Sequence, residues 1–261
     1  MSVAPAPTLH PFVVTGCPRS GTHYLSEVLT RVGLVCRHES VFGPHQSDFT
    51  GLNGAHGDSS WLAVPFLAQL PGDAIVMHQT RHPLDVVRSL LGIGFLDDVS
   101  RWIEGLDGAR ASIRWRARTL LAGPLGLPQS DLGPRPYGAF RRFVVKHAPE
   151  VFDEPTPAER ALRLWVSWNQ AATANSAGIA RYQRYRIEDL DANLLRDLLA
   201  SIGLPVTPEQ SALALQTASR DINSRRRATI AWVDLPDGPA RQDAEELAAQ
   251  YSYAISRRIS T

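Results

Sequence analysis

The chain has 261 residues, 44% hydrophobic and 20% charged, with a formal net charge of +1. This is a globular composition rather than a disordered one, and the near-neutral balance argues against a protein that grips nucleic acid through broad electrostatics. No apolar run reaches the ~20 residues of a membrane helix, the start lacks a basic-then-apolar leader, and Cys17 and Cys36 make no disulfide scaffold, so a cytoplasmic protein with no membrane partner is expected.

The first predicted unit is strand, turn and helix over Pro11–Gly33. Phe12, Val13 and Val14 form the short apolar run of a buried strand. Gly16, Pro18 and Gly21 punctuate the turn. Leu25, Val28, Leu29 and Val32 then recur at helical spacing, and Gly33 is a stop. A turn that opens a helix presents backbone N–H groups and makes an anion site. Arg19, Ser20, Thr22 and His23 add side-chain donors around it.

Gly16 to Gly21 has the G-x-x-x-x-G spacing of a Walker A loop. That loop needs Lys, then Ser or Thr, to reach the β/γ-phosphates and to hold Mg²⁺. Here those positions carry Thr22 and His23, and the basic residue is Arg19, inside the loop. This suits a ligand with one 5′-phosphate-linked group and no metal. The stretch resembles the 5′-phosphosulfate loop of the sulfotransferases that use PAPS (3′-phosphoadenosine 5′-phosphosulfate), whose pattern is roughly P-[KR]-S-G-[TS]-[TH]. The resemblance implies a P-loop-like three-layer α/β/α fold with a largely parallel central sheet, PAPS as donor, PAP as product, and no metal. It implies that Pro18, Arg19, Ser20, Gly21, Thr22 and His23 surround the 5′-phosphate, through the N–H groups of Ser20 to Thr22 and the Thr22 and His23 side chains. Arg19 would neutralise charge on the bridging oxygen.

A second strand is predicted at Leu34–Cys36, ending in Arg37, His38 and Glu39. Gly43–Asp58 has no period and reads as a loop. Its histidines, with His38, are irregularly spaced and read as polar surface residues rather than metal ligands. Ser59 and Ser60 are expected to cap an apolar helix over Trp61–Leu70, stopped by Pro71 and Gly72.

Ala74–His78 is the next predicted strand, and Pro83 suits the first position of the helix that follows. Leu84, Val87 and Leu91 fall on one helix face, with Ser89 on the side of Asp85 and His82. Arg81 and Ser89, eight residues apart in R-x-P-x-x-x-x-x-S, resemble the second sulfotransferase signature, which implies a grip on the 3′-phosphate of PAPS.

Two helices are expected over Asp97–Leu121, then a Gly- and Pro-dense loop at 122–139 that suits a lid or a mobile surface loop. Arg141–Phe152 is ambiguous. Pro157–Ala177 is a strong helix with Trp165 and Trp168 toward the core. Tyr182–Ile187 reads as a strand, and Asp189 as the cap of a helix through Ile202. Y-R-I-E-D-L resembles the family's Y-E-D-L strand end. Ile187 replaces the tyrosine that contacts adenine there, and Tyr185, two residues back on the same strand face, is the substitute. The resemblance implies that Asn223, Ser224 and Arg225 are counterparts of the family's C-terminal basic segment over the 3′-phosphate, a solvated charge run being the alternative, and a last helix spans about Ala240–Gln250. With no repeats and no linker, one domain over 1–261 is expected.

The candidates for general base are His23, His38 and Glu39. His23, on the phosphate loop, is expected to face the cofactor. His38 and Glu39 are adjacent, so on a regular strand only one faces the transferring sulfur. The resemblance favours Glu39, since many relatives use a Glu at the end of this strand. Beside Arg19 its carboxylate is expected to have a low pKa, and an ion pair with Arg19 or Arg37 is the structural alternative. The acceptor is expected to be a small-molecule or carbohydrate-like hydroxyl or amine. A small-molecule P-loop kinase and a non-catalytic nucleotide-binding protein remain as alternatives.

Overall fold

Five parallel strands carry the architecture. The computed structural model describes residues 9–44, 52, 56–97, 138–218 and 228–255. The strands are β1 Phe12–Thr15, β2 Val35–His38, β3 His56–Ser59, β4 Ile75–Thr80 and β5 Tyr182–Arg186. They lie in the order β2-β3-β1-β4-β5, and every neighbouring pair is parallel. The expected α/β class with a parallel central sheet is therefore observed.

A parallel sheet needs both faces covered. On one face Phe12, Val14, Ile75, Met77 and Tyr185 pack against Leu25, Val28 and Leu29 of helix α1, Thr22–Arg31. Leu195, Leu198 and Ile202 of a later helix, Ala192–Ile202, join the same core. On the other face lie the 3₁₀ helix Trp61–Gln69 and the end of the long helix Pro157–Asn175. There Trp168 packs on Trp61, with ring centroids 5.2 Å apart, and its indole N–H donates to the Trp61 carbonyl at 2.9 Å.

The chain divides into two compact units. The first comprises Met1–Val86 and Trp165–Ser224 and holds the sheet. The second comprises Val87–Leu164 and Arg225–Thr261. In the second, the buried Arg160 donates to the carbonyls of Glu154, Leu96 and Pro155. Arg163 pairs there with Glu154 at 2.8 Å and with Asp243 at 2.5 Å. No described helix is long and apolar enough to cross a membrane.

Several expectations shift. The predicted loop 43–58 runs into a strand, because β3 is His-Gly-Asp-Ser and carries no apolar alternation. Gly57 leaves room for the Phe12 ring, which fills the place a side chain would take. Trp61–Gln69 is 3₁₀ rather than α, with Pro65 inside it, although Ser60 caps it as expected by accepting from Leu62 N–H at 3.1 Å. Helix α2, Pro83–Gly92, buries Val86, Val87 and Leu90 rather than Leu84, Val87 and Leu91. The cap of Ala192–Ile202 is Asp191, accepting from Leu194 N–H at 2.8 Å, while Asp189 pairs with Arg186 at 2.6 Å. The ambiguous stretch forms a helix at Gly138–His147 and a 3₁₀ turn at Pro149–Phe152. Residues 98–137, with the expected two helices and most of the expected loop, lie outside the described residues, as do Asn223, Ser224 and Arg225.

Candidate active site

The loop from Gly16 to Gly21 leaves the C-terminal end of β1 and enters α1. Its two glycines answer to one residue, Gln79 of β4. A side chain at Gly16 would run into the Gln79 carbonyl oxygen. A Cβ at Gly21 would lie 3.0 Å from Gln79 Nε2, and Gly21 has φ +97°, which favours glycine. Arg19 also takes a left-handed backbone, φ +73°, which costs a non-glycine residue on the order of 1 kcal/mol.

Hydrogen bonds hold the strained loop in place. Arg81 Nη1 donates to the Arg19 carbonyl at 3.0 Å. The Ser20 N–H and hydroxyl both donate to the Cys17 carbonyl, at 3.0 and 2.7 Å. Gln79 Nε2 donates to the Ser20 carbonyl at 2.6 Å. The Ser59 hydroxyl donates to the Thr22 carbonyl at 2.6 Å. The Ser20 N–H, expected on the ligand, thus closes the turn internally. Helix α1 has no side-chain cap and no acid in its first turn, so its positive end is left for an anion.

The second part of the site follows β2. The strand ends at His38, and Glu39 has φ +52°. The expected alternation therefore fails: His38 Nε2 and Glu39 Oε1 converge to 3.6 Å. His38 Nδ1 lies 2.7 Å from the Ser59 carbonyl, to which only an N–H can donate, so a neutral His38 ring turns its lone pair on Nε2 toward Glu39. His23 stacks on His38, with centroids 4.5 Å apart and planes 5° from parallel. His23 thus packs on a candidate base from the first turn of α1.

Asp58, fully buried on β3, anchors the turn that carries Glu39. Its carboxylate accepts from the N–H groups of Ser40, Val41 and Phe42 at 3.1, 3.2 and 3.1 Å. Burial pushes the Glu39 carboxyl up to about 7, against a hydrogen bond from Trp61 and the charge of Arg19, while Asp58 lifts it further. The low value expected beside Arg19 is corrected on that ground, since desolvation outweighs the arginine. Burial also lowers His38 and His23, which favours their neutral rings.

No family model matches this chain, and no curated protein matches it. Solved structures do, among them two sulfotransferase domains. One is the sulfotransferase domain from the Synechococcus PCC 7002 olefin synthase, at 12% identity and a TM-score of 0.51, covering 98% of each chain. The other is the sulfotransferase domain from the curacin biosynthetic pathway, at 14% identity and a TM-score of 0.47, covering 98% of this chain and 100% of that one. The fold is that of a sulfotransferase domain.

On this sulfotransferase fold the loop Pro18–His23, His38, Glu39 and Arg81 all follow the C-terminal ends of parallel strands, where α/β sheets bind ligands. Arg81 meets the loop through the Arg19 carbonyl. Ser89 is buried on α2, in the second unit. Tyr185 is a core residue, 7% exposed, with its hydroxyl on Gln79 Oε1 at 2.8 Å, so its ring is committed to the framework. Asp58 and Gln79 carried no expected role from the sequence, and Ser59 and Trp61 were expected only as the cap and start of a helix. Asp58 and Ser59 sit in a stretch without periodicity, and Gln79 is one amide at a strand end, with no pattern to mark it.

Proposed function

We propose that the protein is a sulfotransferase that moves the sulfuryl group of PAPS onto a hydroxyl or amine, with Glu39 as general base. The observation that carries the reading is one pairing at the strand ends: an anion loop without the Walker lysine, and beside its arginine a half-buried carboxyl poised near neutrality. The strained Arg19 backbone, the glycine at 21 and the uncapped start of α1 suit a 5′-phosphate approaching backbone.

PAPS would supply an already activated sulfuryl group, leaving the protein mostly positioning and charge stabilisation. Glu39 takes the proton of the acceptor as its oxygen or nitrogen bonds to sulfur. Arg19 and the α1 N-terminus take up the charge left on the 5′-phosphate as the old S–O bond breaks. A base with a pKa of about 7 is ionised in useful amount at neutral pH while keeping affinity for the proton. Arg81 carries charge to the rim of the same loop and is assigned to the 3′-phosphate.

Calorimetry with PAP and with ATP–Mg²⁺ tests the reading. PAP should bind with undiminished affinity in EDTA, and ATP–Mg²⁺ should compete poorly, because Thr22 and His23 stand where a P-loop NTPase has Lys and Ser or Thr. Tighter binding of ATP–Mg²⁺ than of PAP would replace the reading with a kinase. A screen of hydroxyl and amine acceptors with labelled PAPS then finds the second substrate.

A further inference from the structure

Gln79 is fully buried at the end of β4, and its contacts run in two directions. The Tyr185 hydroxyl donates to Gln79 Oε1 at 2.8 Å. Gln79 Nε2 donates to the Ser20 carbonyl at 2.6 Å. The Ser20 carbonyl, which can only accept, sets the polarity of the amide, and the Tyr185 hydroxyl, able to donate, then anchors the oxygen that faces away from the loop. The strand pairing that places them is secure, since Gln79 is opposite Tyr185 in the β4–β5 register and the Thr80 hydroxyl donates to the Tyr185 carbonyl at 3.1 Å.

The carbonyl and the N–H of one trans peptide point in opposite directions. Holding the Ser20 carbonyl toward Gln79 therefore turns the Gly21 N–H the other way, out of the sheet side of the loop. The flanking residue makes this hold necessary. Gly21, with φ +97° and no Cβ, leaves the preceding peptide free to flip at little steric cost. Ser20 itself cannot fix its own carbonyl, because its N–H and its hydroxyl are both spent on Cys17.

We propose that Gln79, locked by Tyr185, is a positioning residue that aims the Gly21 N–H at the 5′-phosphate of the bound nucleotide. This rests on the reading of the Gly16–Gly21 loop as a 5′-phosphate cradle. Tyr185 then acts on the nucleotide through Gln79 and the loop rather than by stacking on adenine.

The test is calorimetry on Gln79→Met, which keeps the length and removes both hydrogen bonds, and on Tyr185→Phe, which removes only the anchor on the amide oxygen. The ligands are PAP and adenosine 3′-phosphate, which lacks the 5′-phosphate. An oriented N–H on a charged group is a charge-assisted bond, so Gln79→Met should weaken PAP about ten- to hundredfold. Adenosine 3′-phosphate should stay within about twofold. Tyr185→Phe should move PAP in the same direction by about threefold, and it carries the test should Gln79→Met fail to fold. Unchanged PAP affinity in the folded variants, or equal losses for both ligands, overturns the proposal and leaves Gln79 a packing residue. Wild-type protein that binds no PAP is a different result: it removes the 5′-phosphate reading, and the proposal with it.

Discussion

His78, fully buried, and Glu39, half-buried, are both titratable groups in the same unit, and their surroundings differ. Around His78 each polar atom meets its complement. Nε2–H donates to Asn169 Oδ1 at 2.9 Å, the Tyr182 hydroxyl donates to Nδ1 at 2.6 Å, and Asn169 Nδ2 donates to the Trp165 carbonyl at 2.7 Å. Burial holds the ring down to about 4, so it is neutral with one donor and one acceptor, both matched. Glu39 lies on a left-handed backbone and faces the lone pair of His38, and burial, helped by the carboxylate of Asp58, raises its pKa against a hydrogen bond from Trp61 and the charge of Arg19. A matched polar network fastens helix to sheet. A strained and partly mismatched one suits the proton transfer proposed for Glu39.

The largest expected effect is on the mismatched side. Glu39→Gln should lower single-turnover transfer at saturating PAPS by at least ~10²-fold, the lower end for loss of a general base. PAP affinity should stay within a few-fold, and His38→Ala should cost much less. Near-normal transfer by Glu39→Gln with collapse in His38→Ala would move the base to the histidine.

On the matched side the expected loss is of folding instead. His78→Ala should cost roughly 2–3 kcal/mol in urea denaturation at pH 7, because it removes the ring's hydrogen bonds to Asn169 and Tyr182. PAP affinity of the folded variant should be unchanged. A loss of PAP affinity larger than tenfold would show that the framework and the site are not separable.

The two groups also act on stability with opposite sign. His78 is depressed from 6.5 to about 4, so the unfolded chain takes up the proton first and stability falls as pH drops from 6.5 through about 4. Glu39 is raised from 4.5 to about 7, so the folded chain holds its proton longer and stability falls as pH rises across that window. Glu39→Gln should therefore stabilise the protein at pH 8 by roughly 1–3 kcal/mol and change little at pH 4. A variant equally stable or less stable at pH 8 would mean that the carboxyl carries no such burden.

The matched framework was largely legible in the sequence. Phe12–Val14, the spacing of Leu25, Val28 and Leu29, and the long Trp165–Trp168 helix are periodic, and periodicity reports burial. The Gly16–Gly21 loop was legible because glycines and Arg19 crowd a strand-to-helix turn. What escaped was non-local. Strand β3 has no apolar pattern, and Asp58 earns its place through three N–H groups some seventeen residues earlier in the chain. The direction of Glu39 depends on one backbone angle beyond the end of β2, where strand alternation no longer applies. Its pKa depends on how much water is excluded, and sequence neighbours do not report that. Gln79 joins Ser20 and Tyr185 across 59 and 106 residues.

The most direct test of the central claim, that the end of β2 stores a transferable proton, needs no acceptor. The side-chain carboxyl of Glu39 is labelled with ¹³C, assigned by its disappearance in Glu39→Gln, and followed by NMR from pH 4 to pH 9 in the unliganded protein. Titration near pH 7 is the predicted result. Titration at or below the ordinary 4.5 would contradict it, because the carboxylate would then be a settled partner of Arg19 and not a base in waiting.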